Sequence, residues 1–479
     1  MEAVSQPRPL RAAFLCAGAA TALFLLAFLP RSETGLTIGL VAVFGGVCAI
    51  PWAVSSLGGR KEPFDLLHMV CILSFVQFGL GTLYLLYDPG AAYDRGVYQY
   101  LNVSMAYCIV GMASLIYGYY LGGRLRAPVR RAPMAVRGEL WIAAVFLIGF
   151  CAQLLDVQAS RAGDLSSTRS GLLSFLQQFI PFALFAYFLL VYLFFSRLAN
   201  LKHKALLVGV VVPAELAILA LSLGNKSFFM IFLGIPIVAF RYARGRMPWS
   251  AVLVSLLIIV FAVFPFYNMY RNTNNTSSMG TRVGQTLDRL GGLTPQGYGE
   301  QSLYEVGRRV ALVNSVAVIV RETGSSVEYA HGRTIGLALV SILIPRAVWP
   351  DKPVINLGRE FAREFRIQPR HDDRTWVAVT AVGELYWNFG LAGVLAGMLA
   401  LGLALRFIYG LLGEQMAANP VRMAAYVSLF LTLLGFDGNL AAWLGATVKA
   451  VTIYLLLEAF LRRLGLLVPA APSAITAET

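Results

Sequence analysis

Charge is scarce in this chain: 13% of its 479 residues are Asp, Glu, Lys or Arg, against 58% that are hydrophobic. That balance excludes an ordinary soluble domain. Histidine is scarcer still, and the five cysteines, Cys16, Cys48, Cys71, Cys108 and Cys151, have no metal-ligand spacing. All five fall in apolar segments, so they read as small buried hydrophobes, with neither a disulfide framework nor a zinc site. The sequence lacks Gly-x-Ser-x-Gly, His-Glu-x-x-His and a P-loop, so hydrolase, zinc-protease and ATPase readings have no motif to rest on. No cofactor is expected. Acidic residues are outnumbered 25 to 39 by basic ones, a net charge of +14. In membrane proteins that excess collects in cytoplasmic loops, and it predicts no nucleic-acid partner.

What is present is a succession of apolar runs near membrane-spanning length. They predict an all-α polytopic membrane protein with about twelve spans, near 11–29, 36–57, 65–87, 99–122, 139–156, 172–196, 204–222, 227–243, 248–269, 379–406, 422–437 and 440–461. Arg8 and Arg11 ahead of the first run imitate a signal peptide, but a second run follows at once, so a retained first helix is expected. Counting alternate connections, one face collects Arg60, Lys61, Arg124, Arg130, Lys202, Arg241, Arg406, Arg422 and Arg462 among others. The short connections of the other face hold only Arg31, Arg95, Arg161, Arg169 and Lys226. The first face is therefore expected to be cytoplasmic, with both termini on it.

The chain divides into spans one to nine (1–270), a long external loop (271–378), spans ten to twelve (379–464) and a short tail (465–479) expected to be disordered. Within the loop, "YEVGRRVALVNSVAVIVR" (304–321) puts Val306, Val310, Val313, Ala317 and Val320 on one helical stripe, which predicts an amphipathic helix opened by Arg308 and Arg309. The run 334–344 is too short to span and predicts a re-entrant or interfacial piece. Further on, "PRAVWPDKP" (345–353) forbids a continuous helix and predicts a stiff loop that presents Arg346 and Lys352.

Guanidinium groups bind phosphate oxygens in a bidentate fork and stay ionised. Six cations are expected on the external side: Lys226, Arg271, Arg308, Arg309, Arg346 and Lys352. Together they suit a pyrophosphate group, although Glu360, Glu364 and other loop carboxylates offer them simple ion pairs as well. His371, in "RHDDR", and Glu384, in "GELYWNFG", are the candidate bases. Two charges lie deeper, Glu215 in span seven and Lys449 in span twelve, and they are expected to pair.

The order of these features resembles the Wzy-type O-antigen polymerases, the oligosaccharide repeat-unit polymerases of bacteria. "PRAVWPDKP", "GELYWNFG" (383–390) and "GNK" (224–226) carry the resemblance. It implies a GT-C-like fold in the bacterial inner membrane, with a large folded periplasmic loop. It implies polymerisation of undecaprenyl-pyrophosphate-linked repeat units, with Arg346 and Lys352 bracing the leaving pyrophosphate and Glu384 or His371 accepting the hydroxyl proton. A polysaccharide chain-length regulator is a further implied partner. An O-antigen ligase, or another lipid-linked glycosyltransferase, uses the same donor; a transporter or glycolipid flippase fits the span count but predicts repeated halves, which are not evident.

Reporter fusions test the orientation. A fusion after Ala330 is expected to report the periplasm and one after Pro128 the cytoplasm. A cytoplasmic signal from the 271–378 loop would overturn it.

Overall fold

The computed structural model describes residues 34–57, 65–94, 96–124, 133–161, 175–222, 226–271, 273, 279–336, 340, 344, 349, 357–368, 376–432 and 438–469. The chain is a polytopic membrane protein. Nine helices among the described residues are long and apolar enough to cross a bilayer. Eight of the nine take the labels α1 (Thr34–Leu57), α2 (Leu66–Tyr87), α3 (Val97–Arg124), α4 (Leu140–Arg161), α5 (Gln177–Phe195), α6 (Leu201–Leu221), α8 (Trp249–Tyr270) and α13 (Ala381–Leu412). The ninth is α15 (Leu440–Arg463). Two more helices stand at expected spans: α7 (Lys226–Arg244) and α14 (Pro420–Thr432), the latter 13 residues long and too short by itself. The expected first span, 11–29, lies outside the described residues.

The centre of the bundle is α3, the most enclosed of the spans, packed along α13. In a bilayer, helix association gains little from the hydrophobic effect and relies on close packing, which small residues allow. A Cβ on Gly118 would sit 2.2 Å from the Leu399 carbonyl oxygen, and one on Gly402 would sit 2.1 Å from the Leu115 carbonyl oxygen. The two backbones therefore touch at reciprocal glycines. Gly149 and Ala183 make the same kind of contact between α4 and α5, at 2.1 Å.

Three spans contain a wide π turn: Phe75–Leu80 in α2, Leu207–Val211 in α6 and Ile259–Val263 in α8. Such a turn interrupts the regular hydrogen-bond ladder. In α8 the Phe261 carbonyl accepts the hydroxyl of Tyr298, which ties a loop helix to the span.

At one end of the bundle α3, α13, α14 and α15 are joined by charge. Arg422 and Arg462 both hold the buried Glu458, at 2.6 and 2.7 Å, and Asn419 donates to it at 3.0 Å. Arg406 lies over the rings of Tyr119 and Tyr409, and the Tyr119 hydroxyl donates to Asp65 at 2.5 Å. A short antiparallel ribbon completes this end, β1 (Met134–Val136) against β2 (Leu467–Pro469). The tail expected to be disordered from 465 thus begins with an ordered strand, because β1 offers it a ladder and Leu467 is buried.

The opposite end carries the long loop, folded as α9 (Met279–Gly291), α10 (Pro295–Val310), α11 (Val313–Glu322) and α12 (Leu357–Glu364). The expected single helix over 304–321 is two helices. The backbone leaves helical geometry at Ala311 (φ −77°, ψ 50°), where α10 ends directly on α2: a Cβ on Gly81 would meet the Val310 carbonyl oxygen at 2.2 Å. Beyond the break, α11 is not amphipathic on a surface but buried from Val313 to Val320 against α3 and α13.

The expected pairing of Glu215 with Lys449 is absent among the described residues. Glu215 is buried beside Tyr187 of α5 with its Oε1 unpartnered, and Lys449 is half-buried on α15. Cys48, Cys71 and Cys108 are buried as expected, whereas Cys151 is exposed on α4, on the outside of the bundle.

The glycine seam yields a prediction. Gly118→Val and Gly402→Val should each destabilise the protein by about 1–3 kcal/mol or more through overpacking, read as a lower melting temperature in detergent. Gly39→Ala, where a Cβ meets nothing within 4 Å, should leave it unchanged.

Candidate functional site

The loop end of the bundle is organised by the first turns of α13. Thr380, at φ 69°, turns the chain into the helix and caps it, its Oγ1 accepting from Gly383 N at 3.0 Å. A residue with a side chain pays for a left-handed conformation, and such strain persists where the surroundings enforce it. Ten residues on, α13 breaks at Gly390 (φ 61°, ψ −149°). Gly393 then lies so close that a Cβ would sit 2.4 Å from the Leu385 carbonyl oxygen, and one on Gly397 would meet the Leu385 side chain. The arm 381–389 is therefore folded back along the span, held off the straight helix by glycines that leave it room.

That arm presents Glu384, Trp387 and Asn388 to the loop, all fully buried. Glu384 Oε1 accepts the Thr334 hydroxyl at 3.1 Å, and its Oε2 accepts the Leu440 backbone N–H at 2.9 Å, one of the orphan donors that open α15. Asn388 Nδ2 donates to Thr334 Oγ1 and to the Glu384 carbonyl, both at 2.7 Å, while its Oδ1 accepts Gly332 N at 2.8 Å. Ala330 N donates to the Trp387 carbonyl at 2.9 Å. On the other side of Trp387 stand Phe361 of α12 and Phe365 just beyond it, with ring centroids 6.4 and 5.1 Å away. The segment between Gly336 and Leu357 thus leaves from one anchor on this arm and returns to another.

Of the sequence-expected bases, Glu384 is in the described structure and His371 lies outside it. Glu384 does not stand at an open mouth; it is enclosed, and each oxygen holds a donor. Arg346 and Lys352 lie outside the described residues, between the two anchors in the chain. The backbones of Lys226 and Arg271 open α7 and end α8, and their side chains are outside the described set. Arg308 and Arg309 close α10 rather than open a helix, a position where the helix dipole favours cations. Both are exposed, and Arg308 donates to the Tyr304 hydroxyl at 3.1 Å from above its ring. Of the six expected cations, Arg308 and Arg309 have described side chains, as neighbours at the end of α10.

Sequence reasoning missed Arg333, Thr334 and the role of Asn388. Arg333 bridges Glu360 and Glu364 at 2.9 and 3.1 Å, an ion pair of the kind foreseen for loop arginines in general. Asn388 was visible in "GELYWNFG" as an amide four residues after Glu384, one helical turn, the spacing that lets both face the same loop. Another arginine, Arg321, pairs with Asp94 at 2.5 and 2.8 Å and ties α11 to the loop before α3.

A family model described as "Domain of unknown function (DUF8712)" matches residues 95–417, more than half of the chain. The match runs from the loop before α3 through α13 and so includes the whole folded loop and the arm that anchors it. No curated protein and no solved structure matches the chain.

Glu384 gives a test of anchor against base. Glu384→Ala should cost about 1–3 kcal/mol by orphaning the Leu440 N–H and the Thr334 hydroxyl. Glu384→Gln keeps an acceptor oxygen for Leu440, so its melting temperature should lie close to that of the wild type. If Glu384→Gln proves as unstable as Glu384→Ala, the charge itself is what the anchor needs.

Proposed function

We propose, for a chain that belongs to the family of that domain of unknown function, DUF8712, that it polymerises lipid-linked oligosaccharide repeat units. The donor is a saccharide chain on undecaprenyl pyrophosphate and the acceptor a second lipid-linked repeat unit. The acceptor hydroxyl attacks the anomeric carbon of the donor, the bond to the pyrophosphate oxygen breaks, and undecaprenyl pyrophosphate leaves with the bonding electrons. The hydroxyl proton passes to a base. The setting is the periplasmic face of the bacterial inner membrane, with both termini in the cytoplasm, a GT-C-like bundle as scaffold and a chain-length regulator as a further partner.

The observation that carries this reading is the double anchorage of the 337–356 segment. Gly332 and Thr334 are held by Asn388 and Glu384 at one end, and Phe361 and Phe365 by Trp387 at the other. "PRAVWPDKP" lies in that segment and "GELYWNFG" supplies its anchors, so two of the stretches that resemble the polymerases are parts of one construction. Departure of a pyrophosphate needs positive charge held in place before the reaction, and the proline-rich run between the two anchors in the chain carries Arg346 and Lys352 for that role. Arg308, Arg309, Arg271 and Lys226 add positive potential on the same side of the chain's topology. The engagement of both Glu384 oxygens favours a positioning role for that residue, which leaves His371 as the expected base.

Two measurements test the reading. Deletion of the gene in its host should leave single-repeat products on gels of surface polysaccharide; polymer stranded on the carrier lipid would mean a ligase, and loss of both would mean a flippase. With purified lipid-linked repeat units and a chelator present, Arg346→Ala should slow polymer formation by about 10²–10³, the effect typical of one preorganised charge donor. Arg346→Lys should rescue poorly, since a point charge lacks the bidentate fork. Wild-type rates from folded Arg346→Ala protein would sink its role at the pyrophosphate.

A further inference from the structure

Beside the anchor lies a pocket of about 470 Å³ lined, among the described residues, by Ser326, Val327, Glu328, Tyr329, Ala330, Arg333 and Glu364. Small-molecule sites typically measure about 300–1,000 Å³, so it has room for a few rings and none for a polymer. Its walls are built rather than accidental. Ala330 is pinned to Trp387 by its backbone N–H, and the Glu328 carbonyl accepts the Trp387 indole N–H at 3.3 Å. Two glycines in the left-handed region, Gly324 (φ 84°) and Gly390 (φ 61°), pack against the Tyr329 ring, where an added Cβ would stand 3.3 and 3.6 Å away. His331 (φ 45°) sets its ring 6.1 Å from the same tyrosine, and Arg366 (φ 55°) follows α12. Glycines that let the chain approach the ring, and one strained residue, His331, beside it, mark a site whose shape is enforced.

The charge of this pocket decides its ligand. Arg333 pairs with Glu360 and Glu364 through its Nη2, and Glu328 joins Glu364 as a second carboxylate on the described lining. Burial pushes the Glu360 carboxyl up, with Arg333 opposing and Glu364 reinforcing the rise. A pyrophosphate is repelled by such a surface. Carboxylates already neutralised in part by a guanidinium keep lone pairs that accept from hydroxyls. A tyrosine supplies an apolar ring face with a polar edge, and the C–H face of a pyranose covers it.

We propose that this pocket is a saccharide subsite, with Tyr329 as the platform and Glu364, Glu328 and Arg333 as the hydroxyl-binding groups. That the sugar is the acceptor end of a lipid-linked repeat unit rests on the polymerase reading; that the pocket takes a neutral hydroxylated ligand does not.

The test uses the full-length protein in nanodiscs and, as probe, the oligosaccharide released by mild acid from the host's own carrier lipid. Binding is followed by saturation-transfer NMR and thermophoresis. Tyr329→Ala and Glu364→Gln should each weaken binding about tenfold or more, the scale of losing a platform or a charge-assisted hydrogen bond. Tyr329→Phe, which preserves the ring, should bind within about threefold of wild type and covers the case in which the alanine variant fails to fold. Inorganic pyrophosphate should not displace the sugar. No binding by the wild type, equal binding by well-folded Glu364→Gln and Tyr329→Ala, or displacement by pyrophosphate would each overturn the subsite. Sugar binding lost in the variants, with no polymer made by the wild type, would keep the subsite and remove the polymerase. Polymer made with an unchanged acceptor KM in the variants would do the reverse.

Discussion

One carboxylate joins three parts of this protein that are distant in sequence. Glu384 takes the Thr334 hydroxyl from the loop and the Leu440 N–H from the start of α15, while it belongs to the first turn of α13. Each of these groups is buried and would otherwise lack this partner. Asn388 extends the same arrangement by one turn to Gly332. The loop's position over the bundle, the start of α15 and the fold-back of the 381–389 arm all depend on this small network being complete.

The network works because the bundle beneath it is stiff. The α3–α13 seam brings main chains into contact at Gly118 and Gly402, which leaves no space for sliding. The opposite end is held by the buried Arg422–Glu458 pair, joined from the surface by Arg462, and loss of Glu458 would take its carboxylate partner from buried Arg422. Rigidity at both ends of α13 means that strain at Thr380 and Gly390 is borne by the scaffold rather than relaxed. A saccharide platform and a pyrophosphate clamp both require that kind of support.

The membrane class, most of the spans and the existence of a folded loop were legible in the sequence, because each depends on the sum of many apolar residues. Finer features turned on single contacts. The valine stripe from Val306 to Val320 keeps helical period straight across Ala311 and Leu312, so nothing in it reveals the break that Gly81 of a different helix permits. Gly390 sits in "WNFGLAGVLAG", where a glycine reads equally well as packing or as a turn. Glu215 and Lys449 were matched by charge alone, and depth in a sequence window does not say which way a helix faces. Arg333 escaped notice since it lies in no proline-marked motif. Glu384 was found by its neighbours, though its surroundings make it a holder of backbone and hydroxyl groups.

The ribbon of Met134–Val136 with Leu467–Pro469 bears on the order in which this protein is made. Its first strand leaves the ribosome before α4 is inserted, and its second only after α15. Throughout the insertion of every helix in between, β1 has no partner, and its main-chain groups must be satisfied by solvent. Closure of those three residue pairs therefore waits until α15 has been made, and it is a mark by which a bundle holding α4 to α15 differs from one in which these helices are still being threaded into the bilayer.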